Sequence, residues 1–158
     1  MKRTILQQLV LLMLFYMPST SLSAQVKSDK VKNEITEALK LWNTATKNAN
    51  TEELITLFDN SDNILVIGSD SGEIYKGKDH IKEWLNAIFK HNSFSWEMDR
   101  TDIDYNGNTA WVFIDGSMIV TNDKGNVRKT PYRFTGIMIK RNKEWKWRLF
   151  DGSIPKGE

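Results

Sequence analysis

From Ser93 onward, apolar and polar residues alternate almost one for one, the period that turns one face of an extended strand toward a core. Phe94, Trp96 and Met98 alternate with Ser95, Glu97 and Asp99, and Ile103 and Tyr105 resume the pattern after an irregularity at residues 100–102. Asn106-Gly107 is a hairpin signal, Asp123-Lys124-Gly125-Asn126 a second turn and Asn142-Lys143 a third. They separate returning strands at Ala110–Thr121, Val127–Lys140 and Trp145–Phe150. Three of the four strands are roughly 12–14 residues long, against a usual ~5–6. At ~3.4 Å per residue, straight strands of that length reach beyond about 40 Å, too far for one small domain. They must bend. Gly116 and Gly136 stand inside the strand patterns, where glycine marks a bulge or bend, and Pro131 implies an edge or bulge position.

The residues ahead of this meander keep a different period. Val31, Ile35, Leu39, Trp42 and Ala45 form one face of a long helix. Asn50 offers an N-cap with Glu53 three residues later, and Leu54, Leu57 and Phe58 form the stripe of a short second helix. Ile64–Ile67 and Glu73–Tyr75 are short strands around a Ser69-Asp70-Ser71-Gly72 turn, and Ile81, Trp84, Leu85, Ile88 and Phe89 give a third helix an apolar face. Helices segregated from a run of strands indicate an α+β fold with an antiparallel sheet. A bent sheet wrapped around the long N-terminal helix makes a cone, whose mouth suits a small-molecule pocket.

Residues 1–24 have another layout: Lys2 and Arg3, an unbroken apolar run from Leu9 to Met17, then Pro18 and small polar residues. This is the pattern of a secretory signal peptide, with cleavage between Ala24 and Gln25, or alternatively after Ser23. The apolar run is shorter than the ~20 residues a spanning helix needs. The reading is therefore a signal peptide at 1–24, a single domain at 25–158, a periplasmic or secreted location and no membrane span after processing. The formal net charge of +2 belongs to Lys2 and Arg3; without them acids and bases balance. Cysteine is absent, which excludes disulfides, thiolate metal sites and a thiol nucleophile. His80 and His91 lie too far apart on one helix to share a metal. No phosphate loop or nucleophile–histidine arrangement appears, so no metal, cofactor or nucleic-acid partner is expected.

The order of these segments resembles the nuclear transport factor 2-like (ketosteroid isomerase-like) superfamily, and within it the SnoaL-like members. The resemblance is carried by Trp42 and the following Leu54-Ile55-Thr56-Leu57-Phe58, by Gly77-Lys78-Asp79-His80-Ile81, by Thr109-Ala110-Trp111-Val112, by Arg133-Phe134-Thr135, by Trp145-Lys146-Trp147 and by Asp151-Gly152-Ser153-Ile154-Pro155. It covers about residues 30–155. It implies a cone-shaped, cystatin-like α+β barrel, a homodimer, and a pocket between sheet and helices. It also implies a test for isomerase chemistry. Laid on this chain without a gap, the isomerase pattern puts Trp42 at the tyrosine position and Val66 at the general-base aspartate. Neither residue can take or give a proton at ordinary pH.

Strand alternation places Trp145, Trp147, Leu149 and Asp151 on one face of the last strand, and Arg133, Thr135, Ile137 and Ile139 on one face of the strand before it. With Lys146 and Arg148 facing solvent, both sets are expected to be concave, so that Arg133 and Asp151 meet near the mouth. The expected pocket is then Trp42, Trp96, Arg133, Thr135, Trp147 and Asp151, with Asp151 the candidate acid–base residue. A structural salt bridge and a packed aromatic core are the plainer accounts of the same residues. From Asp123 to Arg148 there are nine Lys/Arg and two Asp/Glu, an anion-facing surface or an edge-protecting solvent face. Three functions stay open at this point: a binding domain for a small ligand, an enzyme using Asp151 and Arg133, and an interaction module presenting its convex sheet face.

Overall fold

The structure is a computed structural model that describes residues 20–156. Residues 1–19, which carry the charged and apolar parts of the expected export signal, lie outside the described residues. The chain divides into two units, residues 1–31 and 32–158. In the first, the described part is the start of helix α1 (Thr20–Lys47), where the Gln25 side chain donates to Asp29 at 2.8 Å. No helix among the described residues is long and apolar enough to cross a membrane.

The second unit holds the rest of α1, the helices α2 (Thr51–Thr56) and α3 (Lys78–Phe89), and six strands: β1 (Leu65–Ile67), β2 (Ile74–Lys76), β3 (Asn92–Asn106), β4 (Thr109–Asn122), β5 (Val127–Arg141) and β6 (Glu144–Ser153). They form one sheet in the order β2-β1-β6-β5-β4-β3. The sheet is curved and does not close, and α3 packs against both edge strands, β2 and β3. All neighbours are antiparallel except β1 and β6, which run parallel in register Leu65↔Leu149 to Ile67↔Asp151. The fold is thus the α+β arrangement expected, with one parallel pair added.

Local chemistry explains the elements. Ile35, Leu39, Trp42 and Ala45 of α1 are all buried, the spacing of a single helical stripe. Asn50 caps α2, its Oδ1 accepting the Glu53 N–H at 3.1 Å while its amide donates to the Glu53 carboxylate. The β5–β6 loop is a two-residue turn with φ of +50° at Asn142 and +71° at Lys143, the conformation that matches the twist of the flanking strands. Pro131 lies on β5 ahead of Arg133, the residue at which pairing with β6 begins, so its missing N–H faces no neighbour strand.

Two bulges supply the bends. The first is at Asp99: Met98 pairs with Gly116 and Arg100 with Asp115, leaving Asp99 unpaired. A Cβ on Gly116 would lie 2.0 Å from the Glu97 carbonyl oxygen, so only glycine lets the strands approach there. The second is at Arg148: Ile137 pairs with Leu149 and Met138 with Trp147. Here β6 also changes partner on its other edge. Trp147 donates to the Leu57 carbonyl at 2.8 Å, and the Asp59 N–H donates to the Trp147 carbonyl at 2.9 Å. Beyond the bulge, β1 takes over that edge.

The bulged residue is tied back to the chain it faces. Arg148 and Arg141 both pair with the Asp59 carboxylate, the latter at 3.4 Å, and Asp59 is only 4% exposed. Burial pushes the Asp59 carboxyl up, but hydrogen bonds from Arg148 and the Asn60 N–H, with the charges of Arg148 and Arg141, outweigh it, so its pKa is held below the ordinary value. A carboxyl whose folded pKa is depressed stabilises the fold above its unfolded pKa, and this is lost as pH falls through the folded value. Asp59→Asn is therefore expected to lower unfolding free energy by about 1.5–3 kcal/mol at neutral pH. The deficit should shrink as pH drops below about 4. Urea titrations of both proteins from pH 7 to pH 3 check this; a deficit constant with pH would refute the assignment.

Candidate functional site

The inward faces of β3–β6, the underside of α1 from Lys32 on, and α3 enclose one apolar cavity of about 330 Å³. Its inner wall is aromatic. Trp42 stacks on Phe150 with ring centroids 5.3 Å apart, Trp96 meets Phe150 edge-on at 6.4 Å, and the two indoles are 6.4 Å from each other. Asn43 fixes this corner: its amide donates to the Trp96 backbone carbonyl and its oxygen accepts the Trp96 backbone N–H, both at 2.9 Å. One side chain thereby clamps α1 to β3 beside both tryptophans. Trp84, Leu85, Ile88 and Phe89 of α3 form the opposite wall.

The polar part of the lining comes from the β1–β2 turn and from β5. Ser69, Asp70 and Glu73 lie on the turn, which is braced by the Gly68 N–H donating to the Glu73 carbonyl at 2.8 Å and the Asp70 N–H donating to the Glu73 carboxylate at 3.1 Å. Tyr132 of β5 is 4% exposed. Burial first, then the negative charges of Glu73, Asp151 and Asp70, push its pKa up to about 12, against a hydrogen bond with Ser69 that acts the other way. The phenol is therefore protonated at any physiological pH. Its hydroxyl occupies a notch over Gly152, where a Cβ would come within 2.0 Å of the oxygen.

The expected site residues separate into two groups. Trp42 and Trp96 line the cavity. Trp147 is fully buried in the aromatic cluster behind it, 4.6 Å from the Trp42 ring. Arg133, Thr135 and Asp151 are exposed on the other face of the sheet. Arg133 pairs there with its cross-strand neighbour Asp115 at 2.7 Å, and Asp151 stands opposite Thr135 and Ile67. The expectation that Arg133 and Asp151 meet at the concave mouth is corrected, and the cause is physical. The bulge at Arg148 reverses the alternation of β6, so Trp147 and Phe150 both point inward and Asp151 outward. On β5 the inward residues are Tyr132, Phe134, Gly136 and Met138, not the Ile137–Ile139 pair.

Tyr132, Ser69, Asp70, Glu73 and Trp84 are among the lining residues outside the expected pocket. The signal for Tyr132 was present: Tyr132, Phe134 and Met138 are larger than the alternate set and better core candidates. Asp70 and Glu73 carried only a turn signal. Val66 and Trp42, which the ungapped reading sets at the isomerase base and tyrosine positions, are both buried and line the cavity, and neither side chain is a proton-transfer group. His80 contacts the Lys76 carbonyl and His91 the Asp123 carboxylate, each at 3.1 Å.

A curved, open α+β sheet covered by helices, with its cavity between the layers, defines the nuclear transport factor 2-like class. The chain belongs to the SnoaL-like domain family, whose model matches residues 35–156. Solved structures agree on the fold. A Streptomyces avermitilis member of the nuclear transport factor 2-like family, proposed as a dehydratase, superposes with a TM-score of 0.73 at 13% identity, over 82% of this chain and 99% of its own. A superfamily protein from Salmonella enterica gives 0.72 at 21% identity, over 82% and 94%. A ketosteroid isomerase-like protein from Erwinia carotovora gives 0.63 at 19%, over 78% and 95%. No curated protein matches the chain.

The notch predicts a specific coupling. Gly152→Ala is expected to cost about 1–3 kcal/mol by driving the Tyr132 ring off its position. Adding Tyr132→Phe to that variant should recover part of the loss, because the clashing atom is the hydroxyl. Urea midpoints of the four proteins of this cycle test the coupling, and strictly additive effects would refute it.

Proposed function

We propose that this chain is an exported SnoaL-like domain that binds a small apolar ligand in the cavity between sheet and helices, without the proton-transfer machinery of ketosteroid isomerases. The observation carrying this reading is the 330 Å³ cavity itself, walled by Trp42, Trp84, Phe94, Trp96 and Phe150, with Trp147 and Phe134 packed together behind it. Its size falls at the small end of the ~300–1,000 Å³ typical of ligand pockets, enough for one or two rings. Export rests on the layout of residues 1–24, with processing between Ala24 and Gln25.

The second copy of a homodimer is assigned to the convex face. Trp111 is 45% exposed there, beside Phe113, Ile137, Ile139 and Leu149, and Arg133 and Asp115 on the same face pair with each other. An isomerase- or dehydratase-type activity is the second reading, favoured by the buried, protonated Tyr132 facing Asp70 and Glu73.

A thermal-shift screen of one- and two-ring apolar compounds tests the binding reading. Binders should raise the midpoint of the wild type, whereas Met118→Trp, which fills the cavity, should abolish the shift while the variant stays folded. Shifts that survive Met118→Trp would place binding elsewhere and end this reading. Mass analysis of each bound compound after incubation separates binding from turnover. Sedimentation of the wild type and of Ile137→Glu checks the dimer, which should dissociate in the variant, and intact mass of the exported chain checks the cleavage point.

A further inference from the structure

Processing between Ala24 and Gln25 makes Gln25 the first residue of the exported chain and of what remains of α1. Ala24, Gln25, Val26 and Lys27 are exposed, as are Asp29 and Lys30. The Gln25 carboxamide lies along this surface and donates to the Asp29 carboxylate at 2.8 Å. Both partners in that bond are exposed, so the carboxamide can turn toward the chain end without uncovering any core.

An α-amine created at Gln25 stands in an unfavourable field. The N-terminal end of a helix carries partial positive charge and disfavours cations. Lys27 falls in the first turn of the shortened helix and Lys30 follows it, while Asp29 is the one acid among residues 25–30. The field therefore favours the uncharged amine, which is the nucleophilic form. An α-amine is in any case the most weakly basic amine of a chain, so a sizeable share of it is free base at neutral pH. The helix has no use for this group, because the first four N–H groups of a helix have no partner within it.

We propose that Gln25 is a modification site, closing on itself to an N-terminal pyroglutamyl lactam once residues 1–24 are removed. This rests on the reading of those residues as an export signal, and it requires the cut after Ala24, since a cut after Ser23 leaves the Gln25 nitrogen in a peptide bond. The free α-amine attacks Cδ of its own carboxamide. A bond forms between the α-nitrogen and Cδ, the bond from Cδ to Nε2 breaks, and Nε2 leaves as ammonia with the proton given up by the amine. No oxidant, reductant or second reactant enters. The product keeps the Gln25 carbonyl, which the helix uses as an acceptor four residues on, and removes the amine, which it does not use. Side-chain charges balance in the processed chain, so loss of the α-ammonium leaves it one unit more acidic. It also leaves an aminopeptidase no free amine at which to start.

The test expresses the full chain with its own leader in a bacterial host. The exported protein is then measured by intact mass, terminal peptide sequencing and isoelectric focusing, as purified and after prolonged incubation at neutral pH. The wild type should begin at residue 25, weigh about 17 Da less than its unmodified sequence through the loss of ammonia, and focus one charge toward acid. Gln25→Asn keeps a carboxamide, but its closure would make a strained four-membered ring. The exported variant should therefore keep a free amine and its unmodified mass. A broad-specificity aminopeptidase should shorten the variant and leave the wild type whole. A wild-type chain that begins at Gln25 and keeps a free amine through the incubation would overturn the lactam and leave the export reading standing. A chain beginning at Ala24 would overturn the lactam and move the cut. A chain that retains residues 1–24 would overturn both the lactam and the export reading.

Discussion

One extra residue in the last strand, Arg148, decides which side chains this domain shows to its interior. Without it, strict alternation carries Trp145, Trp147, Leu149 and Asp151 to a single face. With it, the strand bends and its pattern restarts, so that Trp147 and Phe150 both enter the core and Gly152 follows them. The same residue marks where β6 exchanges the backbone of Leu57–Asp59 for β1, and its side chain reaches across that exchange to Asp59. A buried carboxylate paired with two guanidiniums is weak evidence for net stability, since desolvation offsets much of the attraction. Its effect is geometric: it holds the bulge in register, and every inward position after it follows from that register.

The cavity is a consequence of this arrangement and of the bend at Asp99. Bringing Phe150 inward places a flat ring between Trp42 on the helix and Trp96 on β3, and Asn43 locks those two elements together at the same level. One step further along β6, a glycine leaves a notch that the Tyr132 hydroxyl fills. Large rings at one level and no side chain at the next leave space that the helices cannot fill, and α3 covers it with Trp84, Leu85, Ile88 and Phe89.

The elements were readable in the residues because each has a strong local cause. The buried stripe of α1, the Asn50 cap, the three turns and the long alternating strands all follow from period and turn chemistry, and Gly116 and Pro131 mark places where the ladder departs from regularity. The faces of the last two strands were not readable in the same way. Alternation has no memory of which face is inside once a residue is inserted, and an insertion leaves no mark when the inserted residue is an arginine between two hydrophobic positions. On β5 both faces are part apolar, because the outer one carries Ile137 and Ile139 in a patch with Trp111. Only the side-chain volumes of Tyr132, Phe134 and Met138 separate them. The acids of the β1–β2 turn carried no spacing signal, since a loop brings them to the cavity from the far edge of the sheet.

Charge on the late strands was the strongest hint of an anionic partner, and the structure dissolves most of it. Of the nine cations between Asp123 and Arg148, six have an acidic partner: Lys129 with Glu97, Arg133 with Asp115, Lys140 with Glu34, Lys146 with Glu144, and Arg141 and Arg148 with Asp59. Four of those acids come from outside the basic stretch, so the local excess of positive charge in the sequence is balanced in space by residues distant along the chain. The pairs exposed on both sides, Lys129 with Glu97 and Arg133 with Asp115, add little stability, typically under ~1 kcal/mol each. They do remove the field that would draw a polyanion to the sheet. What remains is a convex face where apolar side chains flank the Arg133–Asp115 pair and Asp151, and a concave side where the carboxylates of Asp70 and Glu73 stand at the cavity.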